Sequence, residues 1–209
     1  MTGHRLAVPP GRASRLWLER RLQVARRGAD LLDRKLRILQ NELPRLRADA
    51  ARAADDWERS AADADRWLLR AALLGGQRAI RLAGTKAPAE LNVSYTRTVG
   101  VRHPAGVACT FPVPEGWAGP AMPEARHAHQ GALEAAARSA AASAALRVVE
   151  TETAATQQRL RAVKDRWIPL LEQTRTGVVL AIDEQERADG ARLRLAAGNS
   201  GATSLPLAG

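Results

Sequence analysis

Aromatic side chains are almost missing from this 209-residue chain: one phenylalanine, one tyrosine and five tryptophans make up 3% of it. That scarcity argues against a sheet core and, with alanine, leucine and arginine dominating, favours a long helical protein. Cysteine is scarce as well. Cys109 has no intrachain disulfide partner, which suits a reducing compartment, and it reads as a small apolar residue. No stretch approaches 18 uncharged apolar residues, and Met1–Pro10 lacks the apolar core of a signal peptide. The expectation is a soluble, cytoplasmic protein with no direct membrane insertion, free to dock on a membrane complex.

Recognisable chemistry is missing too. There is no phosphate-binding loop, since Gly84-Thr85-Lys86 lacks the upstream glycine and strand that would let backbone amides cradle a phosphate. His127 and His129 are two apart, so on a helix they diverge, and no cysteine or acidic cluster completes a metal shell. The carboxylate pairs Asp55-Asp56 and Asp183-Glu184 have arginines nearby and read as surface ion-pair partners rather than a general acid and base. No residue is therefore assigned to catalysis, to a cofactor or to a metal, and the chain reads as a non-enzyme.

What the chain does have is a heptad seam. From Leu18, apolar residues recur at spacings of four and three through Leu22, Ala25, Ala29, Leu32, Leu36, Leu39, Leu43, Leu46, Ala50, Ala53 and Trp57, then, after Ser60, at Ala64, Trp67, Ala71 and Leu74. As one helix this stretch would run about 85 Å, whereas a compact domain of this chain length has a radius of gyration of about 17 Å. The flanking positions carry both signs of charge, among them Glu19, Arg21, Arg26, Asp33, Lys35, Glu42, Arg47, Asp49 and Asp56, as a coiled-coil partner requires. Pro44 falls inside and predicts a kink without a break, because the heptad phase continues on both sides.

Residues 12–82 thus read as a first long helix. Six of the 11 prolines then fall between residues 84 and 123, which excludes helix over 84–121. Alternation over Asn92–Val101 and Val107–Phe111 predicts two short strands, with His103-Pro104-Ala105-Gly106 as the turn. A second long helix is expected over 122–197, with a seam through Ala142, Leu146, Val149, Thr153, Thr156, Leu160, Val163, Trp167, Leu170 and Thr174, a kink at Pro169, and a flexible tail over 198–209. Two seams in one chain can close on each other as an antiparallel pair, so the fold class is an all-α, two-helix coiled coil with a small hairpin excursion. A register in which paired residue numbers total about 205 brings Gly28 opposite Gly177 and Leu74 opposite residue 131. Trp57, Trp67 and Trp167 then fill the seam, while Trp17 and Trp117 lie off it and are candidates for contact with another subunit.

Charge is unevenly placed. Of the formal net charge of +10, residues 1–47 hold 12 Lys or Arg against four acids. Such an end suits an acidic partner, whether nucleic acid, lipid headgroups or a protein cavity, and equally suits a solvated face.

Several stretches resemble the D subunit of the V-type and archaeal-type rotary ATPases. They are Pro10-Gly11-Arg12, Leu22-Gln23-Val24-Ala25-Arg26-Arg27-Gly28 and Leu31-Leu32-Asp33-Arg34-Lys35 at the start, and Val99-Gly100-Val101 with Pro104 in the middle. Toward the end they are Glu150-Thr151-Glu152-Thr153, Trp167-Ile168-Pro169 and Ile182-Asp183-Glu184-Gln185-Glu186-Arg187 followed by Arg192-Leu193. The resemblance implies a non-catalytic central-stalk axle, peripheral to the cell membrane, that couples rotation of the membrane ring to ATP synthesis or hydrolysis. It implies as partners the A and B subunits of the catalytic hexamer, the F subunit of the stalk, and the C/d subunit, which caps the membrane ring. Pro44 and the Gly/Ser-containing end depart from the family pattern. A coiled-coil scaffold or an F-type shaft fits the seam as well. A basic zipper on DNA fits less well, although Leu32, Leu39 and Leu46 follow an arginine-rich segment, because the apolar seam runs back through that segment.

Overall fold

The computed structural model describes residues 12–84, 87–113 and 119–202. Six elements follow one another: α1 (Arg12–Ala83), β1 (Glu90–Thr98), β2 (Val101–Thr110), α2 (Met122–Arg161), a π-helical turn (Ala162–Trp167) and α3 (Ile168–Ala202). The fold class is the expected one, long helices with a small two-stranded excursion. The last helix runs to Ala202, past the Ala197 at which the sequence places its end, and residues 203–209 of the expected tail lie outside the described residues. The chain divides into two compact units, one of Met1–Asp33 with Gln158–Gly209 and one of Arg34–Gln157.

In the larger unit, α1 and α2 pair antiparallel because each has one apolar stripe to remove from water. Leu39, Leu43 and Leu46 are buried with Ala145 and Val149, and Lys35 Nζ lies 2.6 Å from Glu152 Oε1. The seam leucines 39 and 46 that a DNA-binding zipper would leave for a second copy are thus covered from within the chain. Further along, Ala71 is buried with Met122 and Ala125, with Trp67 and Ile80 packed against them. Between these clusters the buried residues are small: Ala50, Ala64, Ala135 and Ser139. A helix separation set by methyl groups leaves no room for an indole, and Trp57, expected in the seam, is 46% exposed. Leu74 is also outside the core at 71% exposed. It directly precedes Gly75 and Gly76, and Gly76, at φ 70° and ψ 172°, interrupts the helical backbone of α1. Only glycine adopts that conformation without strain. Through Pro44 the dihedrals stay helical, so α1 is interrupted at the glycine pair and not at the proline.

The hairpin belongs to the same unit, and its turn is Val99-Gly100, with φ of 49° and 82°, not His103–Gly106. Two consecutive left-handed residues match the right-handed twist of paired strands, which makes this the favoured two-residue connection. Pro104, Ala105 and Gly106 instead form a bulge in β2: Ser94 pairs with Gly106 and Tyr95 with Pro104, so Ala105 is the extra residue. Pro104 is tolerated because a two-stranded sheet consists of edges alone. Val101 packs against the Leu39–Val149 cluster, so the hairpin tip folds back onto the helix pair. His103, 2% exposed, donates from Nδ1 to the Pro104 carbonyl at 3.1 Å, and its Nε2 lies 3.1 Å from Thr98 Oγ1.

In the smaller unit, α1 pairs antiparallel with α3. Leu18, Leu22 and Leu171 are buried together, backed by Trp17, Ala25, Trp167, Ile168 and Val178. Arg26 bonds Glu172 at 2.7 Å and Lys164 lies 3.4 Å from Asp33. In both units the observed partners lie about two to five helical turns closer in sequence than a total of about 205 predicts. That register assumes close contact at the glycines, yet a Cβ built on Gly28 or Gly177 meets nothing within 4 Å. The leucines fix the pairing instead.

The π-helical turn answers to Pro169. Lacking an N–H, Pro169 leaves the Asp165 carbonyl without its helical donor and crowds it. The preceding turn widens: the Ile168 N–H donates to the Val163 carbonyl, five residues back. One residue is thereby inserted, and the seam beyond it moves by one. Leu171 is fully buried where the heptad count places Leu170, and Val178 follows seven later.

Two outcomes are expected. Leu39→Ala should cost about 2–5 kcal/mol in urea unfolding, against no more than about 0.5 kcal/mol for Leu74→Ala. Val99→Asn, which suits the left-handed turn, should slow hydrogen exchange in β1 and β2, and faster exchange would contradict the turn geometry.

Candidate interaction surfaces

The described residues hold no group of three or more His, Cys, Asp or Glu side chains placed to bind a metal ion. His129 donates from Nδ1 to the Ala125 carbonyl of its own helix at 2.8 Å, and His127 is exposed. Asp56 pairs with Arg59, and Asp55, Asp183 and Glu184 are exposed on helical surfaces. Thr85 and Lys86 lie outside the described residues, as does Trp117, and Cys109 is a half-buried free thiol.

The basic amino-terminal stretch divides into two kinds of arginine. Arg21 sits 5.0 Å from the Trp17 ring and 5.3 Å from the Trp167 ring, and Arg26 is tied to Glu172. Both make contacts within the smaller unit. Trp17, off the seam and a candidate for contact with another subunit, is half-buried against the Leu18 cluster, where Trp167 also packs and Arg21 lies near both rings. Arg20 and Arg27, exposed as Arg21 and Arg26 also are, have no ion pair or ring contact among the described residues. They alternate along α1 with Val24, 67% exposed, and Leu31, 65% exposed, at spacings of four, three and four. The result is a basic and aliphatic strip facing away from the core. Sequence reasoning marks the arginines and misses the aliphatics. Once the core seam is fixed, the second i, i+7 pair Val24 and Leu31 is the signal that finds them.

In the larger unit, a cavity of about 330 Å³ opens where α1 ends and α2 begins, lined by Leu68, Ile80, Phe111, Met122, Leu133 and the stem of Arg126. Arg126 Nη2 closes its rim with a 3.0 Å bond to the Ala83 carbonyl, satisfying a helix-terminal acceptor. On β1 nearly every residue is exposed, including Leu91, Val93 and Tyr95, and Arg102 lies 4.1 Å over the Tyr95 ring. Among the described residues no helix is long and apolar enough to cross a membrane.

A family model described as the ATP synthase D subunit matches residues 15–198, which takes in both units and the hairpin. A search of curated proteins gave no match.

The division among the arginines has a measurable consequence. Arg21→Met should lower stability by about 0.5–1 kcal/mol and shift tryptophan emission to the red. Arg20→Met should change neither, as followed by urea unfolding with fluorescence detection.

Proposed function

Because the chain belongs to the family of ATP synthase D subunits, and so to an ATP synthase complex, we propose that it is the non-catalytic axle of the central stalk in a V/A-type machine, coupling rotation of the membrane ring to ATP synthesis or hydrolysis. The partners on this reading are the A and B subunits of the catalytic hexamer, the F subunit of the stalk and the ring-capping C/d subunit. On this reading the chain sits peripheral to the cell membrane as part of the complex and brings no nucleotide chemistry of its own. The observation that carries the reading is that the apolar seam of α1 is covered within the chain in both units, by α2 in one and α3 in the other. A shaft must resist twisting and bending, and a helix pair joined through its side chains resists both better than a lone helix does.

The basic strip of Arg20 and Arg27 is the part of this reading that meets the hexamer. Exposed cations beside exposed aliphatics suit a sliding contact with an electronegative wall, where attraction is long-ranged and tolerant of orientation.

Co-expressed with the other subunits, the chain should co-purify with both kinds of hexamer subunit, and failure to associate with any of them would remove the assignment. Within the assembled complex, Arg20→Glu combined with Arg27→Glu should lower coupled turnover about tenfold, equivalent to roughly 1.4 kcal/mol, with the fold intact. Unchanged coupling would show that the strip is only a solvated face. Arg21 and Arg26 are poor probes, since reversing them also breaks internal contacts.

A further inference from the structure

The stretch of α1 around the glycine pair combines two features that a solvated helix surface avoids. Leu69, Leu73, Leu74 and Leu82 are all exposed, Leu73 by 78%, in a run of 14 residues. Over the same stretch the charge is of one sign: Arg66, Arg70, Arg78 and Arg81 are present, and no Asp or Glu occurs between Asp65 and Glu90. Two of these cations have partners inside the chain, Arg66 bonding Asp63 at 2.9 Å and Arg70 lying 4.7 Å over the Trp67 ring. Arg78 and Arg81 are exposed beyond the break.

We propose that residues 66–82 of α1 dock an acidic amphipathic helix of another subunit of the complex. Leu69 and Leu73, one turn apart, present adjacent knobs to a neighbouring helix. Arg78 and Arg81 take carboxylates on that helix, which accounts for the absence of acidic residues on this side of the contact. The glycine pair shapes the site. Gly76 turns the chain out of the helical path, and Gly75 has no room for a side chain, since an added Cβ would sit 2.8 Å from Ala79 Cβ. The break thus takes Arg78 and Arg81 off the helical path that carries Leu69 and Leu73. A bilayer surface is a poorer fit. Lipid binding favours an unbroken apolar face with its cations along the edges, whereas here arginines and leucines interleave at positions 66, 69, 70 and 73. The inference rests on membership of the complex and not on rotation, so a stalk that assembles yet fails to turn leaves it standing.

The test uses the intact complex. With Leu73→p-benzoylphenylalanine in the full chain, irradiation should give one protein crosslink, located by mass spectrometry in a Glu- or Asp-rich helix of another subunit. Crosslinks to lipid, to a basic or neutral surface, or to nothing would overturn the proposal. Arg78→Glu with Arg81→Glu, and separately Leu69→Gln with Leu73→Gln, should each weaken retention of the crosslinked subunit at least about tenfold, while circular dichroism shows unchanged helicity. All four residues are exposed, so loss of fold is not expected to cloud the result. Retention equal to wild type in both variants would refute the site.

Discussion

Burial of one apolar stripe between antiparallel helices is the constraint from which everything else in this molecule follows. A long amphipathic helix cannot be stable by propensity alone, and its stripe must be covered. Here α1 is covered by α2 in one unit and by α3 in the other, with a leucine cluster in each, and in the larger unit alanines continue the seam from its leucine cluster to Ala71 and Met122. Each residue taken out of water contributes roughly 25 cal/mol per Å² of apolar surface, so the repeated small contacts add up along the seam without any large aromatic core. The same narrowness explains why Trp57 is turned outward and why the hairpin packs on the outside of the pair. The half-buried Lys35–Glu152 pair and the threonines 153 and 156 add polar groups to the interface. Thr153 meets its own need by donating to the Val149 carbonyl at 2.7 Å, which keeps a polar residue in a dry seam at little cost.

Most of the helical architecture is legible in the sequence because heptad spacing is a direct record of which face is buried. Residues 18 through 53 of the first seam are buried or half-buried as spaced, and so are 142 through 160 of the second. The departures share a cause: each depends on backbone geometry, which spacing does not record. The hairpin turn escapes the pattern because Val99 is β-branched and reads as strand, while Pro104-Ala105-Gly106 has the composition of a turn and serves as a bulge. The register escapes it because glycines suggest points of close approach, and Gly28 and Gly177 prove to have open space around them. The helix continues through Pro44 as the unbroken heptad phase predicts, whereas the interruption at the glycine pair escapes the pattern because it depends on dihedrals that no helix holds.

Function is legible to a different depth. The sequence holds no phosphate-binding loop, and the matched family supplies membership of an ATP synthase complex. Neither identifies which surfaces meet other subunits. Surface arginines look alike in sequence, and all four here are exposed, yet Arg21 lies against two indoles and Arg26 bonds a carboxylate, while Arg20 and Arg27 make no such contact among the described residues. Distinguishing a cation used for cohesion from one available for recognition requires knowing what lies across from it, and that information belongs to the fold.

The widened turn at Ala162–Trp167 acts on the carboxy-terminal helix as a single-letter insertion acts on a reading frame. Positions before it and after it obey the same rule of sevens but are counted from different origins. Residues up to Leu160 and residues from Leu171 can therefore change independently, each set constrained by its own stretch of α1. Relative to a helix that lacks the turn, every position beyond Pro169 is rotated by about 100° around the axis, so a count carried through unshifted lands on the neighbour of each inward-facing residue.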